Sequence, residues 1–149
     1  MSVHPHAEQA RAQKAVEAAA LGIDDALIST LVETFYARIR KDSVLAPVFA
    51  AKVRDWPYHL ARMKDFWASI ALESGRYSGN PMLKHIAVPN LGPAHFARWL
   101  RLWEATLDDV AQPRAAALFR GRAARIADSL QTGIALHKGG LAAISRKDA

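Results

Sequence analysis

Residues 79–90, GNPMLKHIAVPN, interrupt a chain whose other segments have the pattern of long amphipathic helices. The glycine and the two prolines of this stretch allow no more than a short helix, from Met82 to Ile86. That helix carries a histidine, His85. On its spacing alone, His85 is more simply a hydrogen-bonded structural residue than a ligand, so its meaning depends on the helices around it.

Two amphipathic helices are predicted before this segment. The first begins at Asp24, a favourable N-cap, and its apolar residues recur at four-residue spacing: Ile23, Leu27, Leu31, Phe35 and Ile39. Pro47 disfavours helical geometry at Ala46, so an irregular corner is expected within residues 40–49. The second helix begins near Trp56, and its apolar face carries Leu60, Met63, Phe66, Trp67 and Ile70.

Two further helices are predicted after the segment. One begins at about Pro93, with apolar residues Phe96, Trp99, Leu100, Trp103, Leu107 and Val110. The last begins near Pro113 and is expected to end near Gly139 and Gly140, because glycine commonly follows a helix C-terminus. No stretch alternates apolar and polar residues as a half-buried strand does. The predicted fold class is therefore all-α.

Composition narrows the chemistry. The 149 residues fit one domain, and the absence of cysteine excludes disulfides, thiolate metal sites and covalent haem attachment. The first twenty residues lack the apolar run of a secretory signal and no window is long enough to cross a membrane, so a cytoplasmic protein is expected. The net charge of +6 is concentrated after Pro113. Because the basic residues are interspersed with alanine, they indicate a solvated helix face, and nucleic acid is not an expected partner.

Several polar side chains fall on apolar helix faces. Tyr36 and His59 occupy inward positions on separate helices, in a core that also contains Trp99 and Trp103. Buried hydroxyl, imidazole and indole groups each need a hydrogen-bond partner, so this combination indicates a polar site inside an apolar cavity. Paired inward carboxylates are missing, and a zinc site built on His59 and His85 lacks a third ligand. A flat apolar cofactor with one axial ligand fits the available side chains better.

Four segments in this order and spacing resemble a group III truncated haemoglobin: LVETFYARIRKDSVLAPVF (31–49), HLARMKDFW (59–67), YSGNPMLKHIAVPN (77–90) and HFARWLRLWEATL (95–107). The resemblance extends over roughly residues 24–135. It implies a shortened globin, with two antiparallel helix pairs stacked two over two on a haem. The paired-glycine motifs of groups I and II are missing, which favours group III. The truncated globin domain would span 23–138, between an N-terminal extension at 1–22 that forms a weak helix or frays and a C-terminal tail at 139–149.

The resemblance also implies the roles of individual residues. His85 would be the iron ligand of a b-type haem (haem b, iron protoporphyrin IX), and Tyr36, His59 and Trp99 would stabilise a gas ligand on the opposite face. Met63 departs from the branched aliphatic residue usual at its position. The expected haem contacts are Phe35, Phe49, Arg62, Met63, Phe66, Tyr77, Met82, Lys84, His85 and Trp103, with Arg62, Tyr77 and Lys84 near the propionates.

The function implied by the resemblance is binding of dioxygen, nitric oxide and carbon monoxide. Redox chemistry on the ligand, as nitric oxide dioxygenation or peroxide reduction with an unidentified reductase, is expected more than bulk oxygen transport. A monomer or weak homo-oligomer is expected. Two alternatives stay open: a gas sensor or interaction module without turnover, and a helical bundle without haem.

Overall fold

The computed structural model describes residues 5–147, apart from 73, 76 and 78. Across these residues the chain forms α-helices and no strand, which confirms the all-α prediction. The helices are α1 (Pro5–Ala20), α2 (Asp25–Ile39), α3 (Ala46–Lys52), α4 (Trp56–Leu72), α5 (Pro81–Ile86), α6 (Pro93–Val110) and α7 (Pro113–Lys147).

Helix α2 contributes six buried residues to the main core. Its N-cap is Asp24, whose side chain accepts a hydrogen bond from the Leu27 amide at 2.8 Å. The buried face of α2 packs against both α4 and α6, and it consists of Ile28, Leu31, Val32, Phe35, Tyr36 and Ile39. Since Phe35 and Tyr36 are adjacent on a helix packed on two sides, both are buried.

The corner after α2 differs from the sequence prediction. Ala46 is helical and begins α3, and Pro47 lies in the first turn of that helix. Proline is tolerated there because the first-turn amides have no partner within the helix. The corner is held by Asp42, whose carboxylate accepts hydrogen bonds from the backbone amides of Val44 and Leu45 and pairs with Arg98 of α6 at 2.6 Å.

Two helix pairs, α2 with α4 and α6 with α7, enclose the main core. Trp67 of α4 and Trp103 of α6 are almost completely buried and stack with ring centroids 4.5 Å apart. The Trp103 indole donates a hydrogen bond to the Phe119 carbonyl of α7 at 3.2 Å. Aromatic packing therefore joins α4, α6 and α7.

Helix α5 lies outside this core and packs on α7. A second apolar cluster, formed by Leu91, Phe96, Ala127, Leu130 and Ile134, is contacted by Met82 and Ile86 of α5. A methyl group added at Gly133 would overlap the Met82 sulfur, so the absence of a side chain at 133 lets α5 approach α7. The short helix is thus seated by its apolar side chains.

The ends of the described chain are also helical. Helix α7 does not end at Gly139 and Gly140 as predicted but continues to Lys147, because Gly139 does not adopt the left-handed backbone that would end it. The final residues of the predicted tail, 148 and 149, lie outside the described residues. Helix α1 contacts α4. No helix in the described part of the chain is long and apolar enough to span a bilayer.

Candidate functional site

Tyr36 lies at the centre of an aromatic cluster contributed by α2, α3 and α4. Its ring centroid is 5.1 Å from Phe35, 5.7 Å from Phe49 and 5.0 Å from His59. All three neighbouring rings meet it in an edge-on arrangement, which aromatic rings prefer to face-to-face packing. Burial raises the pKa of the Tyr36 phenol far above its ordinary value. The hydroxyl therefore stays protonated and can donate a hydrogen bond.

His59 has an unsatisfied polar atom in this cluster. Its Nε2 is buried and, among the described residues, has no hydrogen-bond partner. Burial lowers the pKa of His59, and the positive charge of Lys84 lowers it further. The imidazole is therefore neutral near pH 7. An unpaired buried nitrogen is costly, so this atom is directed to a place where a ligand could pair with it.

Trp99 and Trp103 stack in parallel on α6, with ring centroids 6.0 Å apart, but their environments differ. Trp99 is half-buried and meets Phe35 edge-on at 5.6 Å. Trp103 is fully buried in the main core. The indole N–H of Trp103 is already satisfied by Phe119. Trp99 contacts Phe35, the neighbour of Tyr36, and its indole N–H forms no hydrogen bond with the described residues.

His85 on α5 makes a hydrogen bond that sets the tautomer of its ring. Its Nδ1 lies 2.6 Å from the carbonyl oxygen of Pro81, one helical turn earlier. A carbonyl can only accept, so Nδ1 carries the proton and Nε2 of the neutral ring has a free lone pair. The His85 ring is half-buried, with its centroid 6.5 Å from that of Phe96. The turn geometry of α5 thus fixes both the tautomer and the ring direction.

The other predicted contact residues fall into two groups. Arg62 stacks on the ring of Tyr77 at 4.6 Å, and Phe66 meets the same ring at 5.1 Å. Met63 packs at the edge of the main core, whereas Met82 belongs to the second cluster near His85. Lys84 is an exposed residue of α5, and its charge is close enough to affect His59 electrostatically. Met63 and Phe66 thus belong with the main core that contains Tyr36, whereas Met82 belongs with the second cluster near His85.

Trp56 was missed as a site residue by the sequence reasoning. Its ring centroid lies 5.5 Å from His59 and 6.1 Å from Tyr36. The signal was present in the spacing, because a residue three positions before His59 lies on the same helix face. Because Trp56 is the first residue of α4, the sequence pattern indicates only that it begins the helix.

The donor set fits a haem better than a metal ion held by protein alone. No group of three or more metal-binding side chains is found among the residues that the structure describes. One imidazole has Nε2 available for an axial bond, and a second, neutral imidazole has a buried Nε2 without a partner. A haem site needs one imidazole that can bind the iron and further polar groups that can pair with a bound gas, and the chain supplies both kinds of side chain.

The fold and the site residues together are those of a shortened globin, with one histidine on the short helix α5 and another in the aromatic cluster of α2, α3 and α4. A scan of family models finds none that matches the chain. The chain is 34% identical over 113 residues to a group 3 truncated hemoglobin of Campylobacter jejuni, a match that covers 73% of this chain and 89% of that protein. It also matches the crystal structure of a group III truncated hemoglobin from Campylobacter jejuni, with a TM-score of 0.72 and 33% identity over 75% of this chain and 91% of the other. The chain belongs to the group III truncated haemoglobins, as the sequence motifs indicated.

Proposed function

We propose that this chain binds a b-type haem through His85 and holds dioxygen and other diatomic gases on the side of Tyr36, His59 and Trp99. The observation that carries the proposal is the state of the two imidazoles. His85 has its Nδ1 committed to Pro81 and its Nε2 free, while His59 has a buried Nε2 without a partner. The group III truncated haemoglobin relatives support the same function.

The remaining contact residues would hold the cofactor in place. When bound, haem supplies an iron centre that takes up a diatomic gas and exchanges one electron. Arg62 and Lys84 would pair with the propionates, since both are cations on the two helices that carry the histidines. The apolar lining would come from Phe35, Phe49, Met63, Phe66, Met82 and Trp103, with Tyr77 at the edge.

Three side chains of this chain would stabilise the gas ligand. The Tyr36 hydroxyl is a neutral donor because burial raises its pKa, and Trp99 can donate only through its indole N–H. His59 is neutral, so it donates from one ring nitrogen and accepts at the other. Hydrogen bonds in a pocket of low dielectric are stronger than in water, and several donors together retain a bound ligand longer.

We further propose that the retained ligand undergoes redox chemistry. Nitric oxide dioxygenation combines nitric oxide, dioxygen and one electron to give nitrate. Peroxide reduction likewise consumes electrons. Either reaction needs a reductase, which is the partner that we propose for this protein in place of a role in bulk oxygen transport. The chain by itself would act as a monomer or a weak homo-oligomer.

Absorption spectroscopy tests the haem site. Purified protein supplied with haemin should give an intense Soret band, which His85→Ala should lose and Tyr36→Phe should keep. His137→Ala is a matched control, because His137 is an exposed histidine on α7. The haem assignment is wrong if wild-type protein gives no band, and the ligand assignment is wrong if His85→Ala binds haem as tightly as His137→Ala.

Stopped-flow kinetics test the redox proposal. The oxygenated ferrous protein is mixed with nitric oxide, and both the loss of the oxygenated spectrum and the yield of nitrate are measured. Rapid oxidation followed by re-reduction with NADH and a flavin reductase would support dioxygenation. Slow oxidation, or an oxidised protein that none of the reductases tested can recycle, would leave ligand binding as the function.

A further inference from the structure

We infer that Trp56, held by the guanidinium of Arg40, forms the solvent-side wall of the pocket around His59 and Tyr36 and controls how fast small ligands enter. The inference rests on the proposed function, because the ligands concerned are the diatomic gases. It adds two residues to those that the sequence analysis assigned to the site.

The inner face of this wall is defined by ring contacts. Trp56 is the first residue of α4 and lies three residues before His59, on the same side of the helix. Its indole is nearly perpendicular to the imidazole of His59, at 86°, and lies within 6.1 Å of the Tyr36 ring. The Phe49 ring is 6.5 Å away, so the indole also lies beside α3. A ligand that approaches His59 from this side must pass the indole.

The outer face of the wall is covered by Arg40. Its guanidinium carbon lies 4.5 Å from the Trp56 ring centroid, within the range of a cation–π contact. Arg40 is exposed and Trp56 is half-buried, so the order from solvent inward is arginine, indole and then the polar groups of the pocket. Arg40 is also the C-cap of α2. The contact therefore joins the end of α2 to the start of α4.

The uncommitted state of Arg40 suits it to this role. Arg40 forms no salt bridge with the described residues, and its guanidinium contacts the Trp56 indole. A cation–π contact at an exposed site changes an equilibrium by about two- to five-fold. The indole would thus be held in place for most of the time and still be released often enough to admit a ligand. A wall of this strength would slow entry without preventing it.

A wall has a kinetic signature that differs from that of a hydrogen-bond donor. Opening the entrance changes association and dissociation by the same factor, so the equilibrium affinity stays constant. Arg40→Gln should therefore raise both rates for carbon monoxide by about two- to five-fold, the same factor as for the lost contact. Arg40→Lys keeps a cation and should recover most of the wild-type rates. Trp56→Phe leaves a smaller ring and should raise both rates further.

Arg54→Gln is the matched control. Arg54 is exposed, lies two residues before Trp56 and carries the same positive charge as Arg40. Unlike Arg40, it does not stack on the Trp56 indole. Its substitution removes the same charge from the same region. Flash photolysis of the carbon monoxide complex, with ligand replacement for dissociation, gives both rates for all variants in haem-loaded protein.

A second measurement is independent of haem. Protein labelled with 5-fluorotryptophan gives fluorine NMR signals, and the Trp56 signal is the one absent from Trp56→Phe. Its shift between H₂O and D₂O reports the access of water to the indole. In haem-free protein this solvent shift should increase in Arg40→Gln and stay at the wild-type value in Arg54→Gln.

The two measurements separate failure of this inference from failure of the proposed function. If all variants bind haem but Arg40→Gln has the rates of Arg54→Gln, the wall is disproved and haem function stands. An altered affinity with one rate unchanged would also overturn it, since that is the behaviour of a donor. If no variant binds haem, the proposed function fails. If the fluorine solvent shift of Trp56 is also unchanged in Arg40→Gln, the inference that Arg40 holds Trp56 in place is disproved as well.

Discussion

His59 and His85 show how the same side chain is given different properties by its neighbours. The Pro81 carbonyl selects the Nδ1–H form of His85 and orients its ring. Burial and the charge of Lys84 keep His59 neutral and leave its Nε2 without a partner. The residue identities were readable from the sequence, but these environments were not. The carbonyl that orients His85 belongs to the preceding turn of α5, and the charge that acts on His59 lies on a different helix.

Tyr36 is the residue at which a hydrogen bond to the gas ligand can be tested most directly. Tyr36→Phe removes the hydroxyl and keeps the ring that packs on Phe35, Phe49 and His59. Oxygen dissociation should become about tenfold faster, since a buried hydrogen bond of about 1.4 kcal/mol would be lost, while association stays nearly constant. Ligand-replacement kinetics measure this. Tyr58→Phe is the control, because Tyr58 is 64% exposed, and equal dissociation rates in the two variants would remove Tyr36 from the mechanism.

At the scale of elements, the helix starts were predicted correctly and two other features were not. The starts at Asp24, Trp56, Pro93 and Pro113 agree with the structure because capping and first-turn proline are local effects. The sequence predicts an irregular corner where α3 forms, and it predicts that α7 ends near Gly139. Pro47 fits the first turn of a helix, and Gly139 keeps helical geometry. Whether proline or glycine ends a helix at such a position is decided by the neighbouring structure.

The corner between α2 and α3 depends on Asp42. Its side chain is 3% exposed, and hydrogen bonding from Arg98 holds the pKa of this carboxyl below its ordinary value, outweighing the effect of burial. Asp42→Asn should lower the free energy of unfolding at pH 7 by about 2 to 3 kcal/mol, because a charged hydrogen-bond network is lost. Denaturant titration measures this change.

The pH dependence of that variant follows from the direction of the shift. A carboxyl whose pKa is lowered in the folded state stabilises the protein at pH values above its ordinary pKa of 3.8. This stabilisation is lost as the pH falls through the pKa of the folded state. The difference between wild type and Asp42→Asn should therefore be constant near neutral pH and shrink below about pH 4. Asp109→Asn serves as a control, since the exposed pair of Asp109 with Arg38 should contribute less than about 1 kcal/mol. An equal loss in both variants would contradict the role given to Asp42.

The seating of α5 on α7 can be tested with two glycines of the same helix. Nothing lies within 4 Å of a methyl group added at Gly121, so Gly121→Ala should stabilise the protein by about 0.5 to 1 kcal/mol through helix propensity. Gly133→Ala should stabilise the protein less than Gly121→Ala does, or should destabilise it, because the added methyl group displaces Met82. In a Met82→Ala background the ordinary gain should return, which a double-mutant cycle in denaturant measures. Equal effects at both glycines would show that Met82 does not seat α5.

At the scale of the whole molecule, α1 tests where the domain begins. Ala18 is the buried residue among the described side chains of α1, whereas Val16 is 64% exposed. Removing residues 1–16 should therefore keep haem binding and lower the melting temperature by no more than about 5 °C. Removing 1–22 also deletes Ala18 and should cost more. Loss of folding in the shorter deletion would mean that the domain begins before residue 23.

Local patterns in the sequence determined the fold class, the main helices and the identity of the two histidines, because periodicity, capping and proline placement act within a few residues. The family motifs then supplied the expected site. Tertiary structure alone decided that Trp56 packs between Arg40 and His59, that the indole N–H of Trp103 is paired in the core, and that His59 is neutral with an unpaired nitrogen. These features depend on distances between helices that are remote in the chain. Burial and electrostatic interactions are set by those distances, and no short stretch of sequence contains them.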